Sequence, residues 1–229
     1  MKLFFGMLIV IVGISLACSA SRSADSTSAQ SSASSSTQTS SAPVTTSVQE
    51  KSTCGLDISQ APVLTGLKLR MTTEEVLALF PGSKEDVALR PQILSPPSQF
   101  GVSNFTIRPS KYESRDKFLE VSQISFILLD GRVSSFTVGY NGPEWPHVDK
   151  FVEKFVEGTN LPATDQWEAY VGMDTQMKTL TCTDFEVRVF AGGQGGNLNY
   201  VLMQDLEADK KLKDRRRKAR EQASPTPGR

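Results

Sequence analysis

Four residues bound the chemistry open to this chain of 229 residues: Cys18, Cys54 and Cys182, its three cysteines, and His147, its single histidine. A cysteine sulfur can carry a lipid, close a disulfide or bind zinc, and an imidazole can act as general base or metal ligand. Zinc needs further His, Cys or carboxylate ligands, and neither a Cys-x-x-Cys pair nor a second His supplies them. His147 follows Trp145 and Pro146 at the start of a helical pattern, and no Gly-x-Ser-x-Gly turn offers it a nucleophile. A surface or capping role is the simpler reading, with an exported hydrolase using His147 and an acidic residue as the competing one. The run Gly192-Gly193-Gln194-Gly195-Gly196-Asn197 lacks the Lys-Ser/Thr of a phosphate loop and opens no helix, so it is expected to be a hairpin loop. No cofactor pattern is present, and the expected role is non-catalytic.

Lys+Arg and Asp+Glu number 25 each and 38% of residues are apolar, so the averages describe an ordinary neutral protein of one or two domains, not a dedicated nucleic-acid binder. The averages hide sharp local shifts. Residues 1–17 join Lys2, an apolar run and small residues, the three physical parts of an export signal, and the run is too short to span a bilayer. Residues 18–50 are almost entirely Ser, Thr and Ala without an aromatic side chain. Such a stretch cannot offset its backbone entropy by burial and is expected to be a disordered tether with a reach on the order of 30 Å.

Leu16-Ala17-Cys18 resembles the bacterial lipobox, in which the cysteine becomes the first mature residue and its sulfur carries diacylglycerol. The resemblance implies a lipoprotein anchored by Cys18 on the periplasmic or outer face of a membrane; Ser19 after the cysteine resembles outer-membrane sorting. Ordinary cleavage after Ala20, giving a freely secreted protein, is the alternative. If Cys18 takes lipid, Cys54 and Cys182 remain in a compartment where disulfides persist, and they are expected to pair. Two free thiols, with Cys182 buried beside Leu180, are the other possibility.

A folded domain is expected over residues 54–204. Thr72 and Glu75 form a capping box, Met71 and Val76 a hydrophobic staple, and Pro81-Gly82 a stop, which predicts a short helix whose Val76, Leu79 and Phe80 face a core. Residues 118–140 read as a hairpin around Asp130-Gly131. A plain two-residue turn pairs Phe126 with Ser135, so inward-facing Val133 and Phe136 require a bulge near Ser134 or Ser135. A second helix is predicted over residues 147–157, from Val148, Phe151, Val152, Phe155 and Val156, with Gly158 at its end and Asp149, Glu153 and Glu157 in solvent. Strands follow at 179–182, 185–189 and 198–202. Trp145, Trp167 and Tyr170 flank the second helix as core packing or as an aromatic partner surface.

The phrase Leu69-Arg70-Met71-Thr72-Thr73-Glu74-Glu75-Val76 resembles the Gly-Met-Thr-x-x-x-Val helix start of small outer-membrane lipoproteins of the SmpA/OmlA type and of related beta-lactamase-inhibitor-like repeats, over about fifteen residues, with Arg70 where that family has Gly. The resemblance implies an α+β fold with helices packed on one face of an antiparallel sheet, and a role in assembly or inhibition of another envelope protein. The recurrence of a helix followed by antiparallel strands suggests two similar α-β halves.

Residues 205–229 form a basic, charged tail containing Arg215, Arg216 and Arg217. Glu207 with Lys211, Asp209 with Lys213 and Asp214 with Lys218 stand at i, i+4 spacing without an apolar stripe, which predicts an exposed, partly helical extension. Such a cluster attracts anionic lipid or cell-wall polymer, or serves as a solvated tail; nucleic acid is set aside because the export signal removes the chain from it. The sequence thus predicts an exported envelope protein that binds another envelope protein, with a cell-wall-binding structural lipoprotein as a further alternative.

Overall fold

The computed structural model describes residues 54–142, 145, 147–171, 175–192 and 199–223. The export signal, Cys18, the cut after Ala20, the tether, most of the Gly192 to Asn197 loop and the last six tail residues lie outside that description. The chain divides into two units, and the one from Gln49 to Arg229 holds its own core and disulfide.

Seven strands form a single antiparallel sheet: β1 (Val102–Ile107), β2 (Val121–Leu129), β3 (Arg132–Tyr140), β4 (Glu168–Val171), β5 (Thr175–Thr181), β6 (Phe185–Gly192) and β7 (Asn199–Asp205), in the spatial order β1-β2-β3-β7-β6-β5-β4. Side chains alternate across a strand, and directly opposed residues share a face. One face carries Phe105, Phe126, Phe136, Met203, Val187 and Leu180 in a line across six strands, all but fully buried.

This architecture corrects the expected class. The molecule is mostly β, and its layer of helices is thin: α1 (Thr73–Ala78) has six residues, α2 (Arg90–Leu94) five and α3 (Val148–Val156) nine. Loops and single turns close much of the buried face, through Leu67, Leu69, Leu89, Tyr112, Phe118 and Trp167. The longest helix, α4 (Leu206–Ala223), has no buried residue. Three strands precede α3 and four follow it, and all seven share one sheet. The helical signals were physically sound but short. Thr72 Oγ1 accepts from Glu75 N while Glu75 Oε2 accepts from Thr72 N, yet Pro81-Gly82 leaves that cap only six helical residues.

The hairpin forms with its bulge. Phe126 opposes Phe136 and Ile127 opposes Ser135, but Leu128 opposes Val133, so Ser134 is the extra residue. The insertion lets Val133 and Phe136 both point into the core, at 1% exposure each. Cys54 and Cys182 are joined by a disulfide across 128 positions, tying the start of the domain to the end of β5. In the chain-entropy account a bridge of that span contributes about 4 to 5 kcal/mol.

Candidate docking surfaces

The opposite face of the sheet has no element packed over its centre among the described residues. One row across it runs Tyr170, Met177, Phe190, Tyr200 and Gly139, and the next runs Thr106, Ser125, Thr137, Leu202, Arg188 and Thr179. Tyr170 is 60% exposed, and the Phe190 and Tyr200 rings stack with centroids 4.2 Å apart. Gly139 supplies no side chain between Ser122 and Tyr200: a Cβ there would lie 3.0 Å from Ser122 Oγ, so the aromatic row opens into a polar trough of about 460 Å³. Thr106 and Ser125 share a hydroxyl hydrogen bond, and Arg188 donates to Glu186, which also accepts from Thr181 Oγ1. The face therefore combines aromatic platforms with paired polar groups, the mixture found where proteins meet other molecules rather than water.

The sequence-derived candidates separate. Trp167 is 5% exposed, donates from Nε1 to Pro162 O and belongs to the core, which favours the core-packing reading over the partner-surface one for this residue. Trp145 is partly buried, stacked on Phe151 with centroids 5.6 Å apart, and Tyr140 meets Phe151 edge-on. These rings line a groove of about 340 Å³ beside α3 with Lys154 and Glu157 at its rim. Burial, reinforced by Glu120, pushes the Tyr140 phenol up to about 12. Tyr170 stands on the open face, so the three aromatic candidates do not form one surface. Phe190, which the sequence reading left unassigned, and Tyr200, read with Leu202 as an alternating strand residue, join it on this face, because the buried phase of β7 is that of Val201 and Met203.

His147 lies at the start of α3, exposed, and its imidazole makes no hydrogen bond among the described residues. No group of three or more His, Cys, Asp or Glu able to hold a metal occurs among the described residues, and no helix there is long and apolar enough to cross a membrane.

The tail is more ordered than a partly helical extension. Asp205 ends β7 and caps α4, its Oδ1 accepting from Ala208 N at 3.0 Å. Arg70 holds that cap: its Nε donates to Asp205 Oδ2 at 2.6 Å and its Nη2 to Glu207 at 2.8 Å, and Asp205 foremost raises the Arg70 pKa. One turn on, Lys211 and Arg215 both donate to Asp130 at the tip of the β2–β3 hairpin, and Arg215 also reaches Phe100 O. Arg215 first, then Lys211, holds the Asp130 carboxyl well below the usual carboxylate range. Of the expected i, i+4 pairs, Glu207 with Lys211 thus gives way to tertiary partners on both sides and Asp214 turns to Arg217 at i, i+3, while Asp209 with Lys213 forms as spacing predicted. Arg215 is committed to the domain, Arg216 lies over the Phe100 ring at 6.0 Å, and Arg217 pairs with Asp214 and Glu221.

No family model matches the chain, and no curated protein matches it. Among solved structures, an extracellular protein containing a SCP domain from Bacillus anthracis str. Ames aligns with a TM-score of 0.31 at 13% identity, over 72% of this chain and 52% of its own. The chain spans about half the length of that protein, and a likeness of this degree shows neither a shared fold nor a shared activity.

Proposed function

We propose that the chain is an exported envelope lipoprotein whose domain is a non-catalytic binding module, docking another envelope protein on the open face of its sheet. The observation that carries this reading is the row of exposed Tyr170 and half-buried Met177, Phe190 and Tyr200 beside a polar trough. Aromatic anchors amid satisfied polar groups are what concentrate binding energy at protein interfaces. Export is supported by the leader pattern and by the Cys54–Cys182 disulfide, since such bridges persist outside reducing compartments. Anchoring through Cys18 rests on the lipobox resemblance. The resemblance around Met71 points in the same direction, toward assembly or inhibition of an envelope protein. The hydrolase reading gains no support from His147, which has no side-chain partner among the described residues.

The test is capture of the partner from living cells by a tagged chain and measurement of its affinity for the purified partner. Tyr170→Ala with Tyr200→Ala is expected to weaken binding by about 30-fold or more, as for loss of a hot spot of about 2 kcal/mol, while His147→Ala binds as the parent does. Retained affinity in the double variant, or a hydrolytic activity lost in His147→Ala, would overturn the proposal.

A further inference from the structure

The net charge of the chain is zero, but its distribution is not. Of 25 basic and 25 acidic residues, α4 holds eight and four, whereas residues 54–205 hold 13 and 19. Within α4 the first half balances, three basic groups in residues 206–214 against three acidic; residues 215–223 carry five basic groups against Glu221 alone. The excess is therefore confined to the outer half of one helix on a body of opposite sign. Favourable interaction with the helix dipole does not account for it. That effect fades within the last turn, which contains only Arg220 of the five.

The clamp on Asp130 fixes which way this helix faces. With Arg215 turned toward Asp130 and Phe100 O, the residues Lys213, Arg216, Arg217 and Arg220 fall at i, i+3, i+4 and i+7, one stripe about 10 Å long. Gln99 and Phe100 stand beside it, and with Ala219 and Ala223 they border a slot of about 590 Å³ along the helix. The ion pairs of Lys213 and Arg217 are solvent-exposed, so they exchange readily for other anions.

We propose that this stripe docks on an anionic lipid bilayer, its cations against headgroup phosphates and Phe100 at the interfacial level. A straight, one-sided stripe suits a planar partner. An aromatic ring beside the cations suits a membrane interface, where amphipathic rings settle, while a polyanion in solution would need the cations alone. Docking of this kind is independent of the open-face reading and of acylation at Cys18.

The experiment is co-sedimentation of the chain from Ser19 onward, which lacks leader and acyl acceptor but keeps the self-contained unit from Gln49, with phosphatidylglycerol and with phosphatidylcholine vesicles at low and high salt. Binding to phosphatidylglycerol alone, abolished by 0.5 M salt through screening, is expected. Replacing Lys213, Arg216, Arg217 and Arg220 by Gln should reduce it on the order of 600-fold, at about fivefold per residue near a charged surface. Removing the same charge elsewhere, with Lys84, Arg90, Lys111 and Lys117 to Gln, should change it far less. No binding to phosphatidylglycerol, equal losses in the two quadruple variants, or binding of a purified anionic wall polymer without vesicle binding would overturn the proposal.

Discussion

Arg70 has φ 67°, in the left-handed region where a Cβ costs about 1 kcal/mol and glycine is the ordinary residue. The strain is sustained because its guanidinium reaches the carboxylate of Asp205, 3% exposed, which would otherwise cap α4 with one oxygen and bury the other without a cation. Two substitutions separate these effects. Arg70→Ala keeps the strain and loses the pair, and is expected to destabilise by about 1 to 2 kcal/mol, discounted because Arg70 itself is 40% exposed. Arg70→Gly loses the same pair but relieves the backbone, so it should be about 1 kcal/mol more stable than Arg70→Ala in denaturant unfolding. Equal stabilities would mean that no strain is held there. Residue roles set by neighbours in sequence, such as the Thr72–Glu75 cap and the Asp209–Lys213 pair, were legible beforehand. Roles set by chain return were not: nothing near Arg70 points to Asp205, and nothing near Lys211 points 81 positions back to Asp130.

At the scale of elements, α4 depends on a hairpin tip. Asp130 sits in the turn with φ 53°, and Gly101 must lack a side chain beside it, since a Cβ would run into Asp130 Oδ1 and lie 2.8 Å from Arg215 Nη1. Because folding depresses the Asp130 pKa, the clamp contributes above the unfolded carboxylate value of about 4 and is lost as pH falls below it. Hydrogen-exchange protection of the α4 amides should therefore fall on acidification below about pH 4, and Asp130→Asn should show the lower protection already at neutral pH, with a weaker response to acid. An identical pH response in the variant would remove Asp130 from the account. Hairpin, bulge and α3 were readable because period and turn chemistry agree. β1 and β4 were missed for different reasons. The alternation of Phe105 and Ile107 is short and sits among prolines, and β4 has only four residues at a sheet edge.

The unit from Gln49 to Arg229 is built on a sheet with one face sealed by short helices and loops and the other, among the described residues, without an element packed over its centre. That asymmetry was the hardest feature to read. Buried and open faces alternate along every strand, and Phe190 or Leu202 on the open side looks as apolar as Val187 or Met203 on the sealed one. The fold class went wrong for a related reason, since helical periodicity gives strong local signals even when the helices are too short to form a layer. The decisive measurement is site-specific photo-crosslinking in living cells. A crosslinking residue would be placed at Tyr170, Thr179 or Thr137 on the open face, and at Lys84 or Arg108 elsewhere. One discrete adduct with an envelope protein is expected from the open-face positions and none from the others. Adducts spread evenly over all five positions, or absent from the open face alone, would contradict docking there.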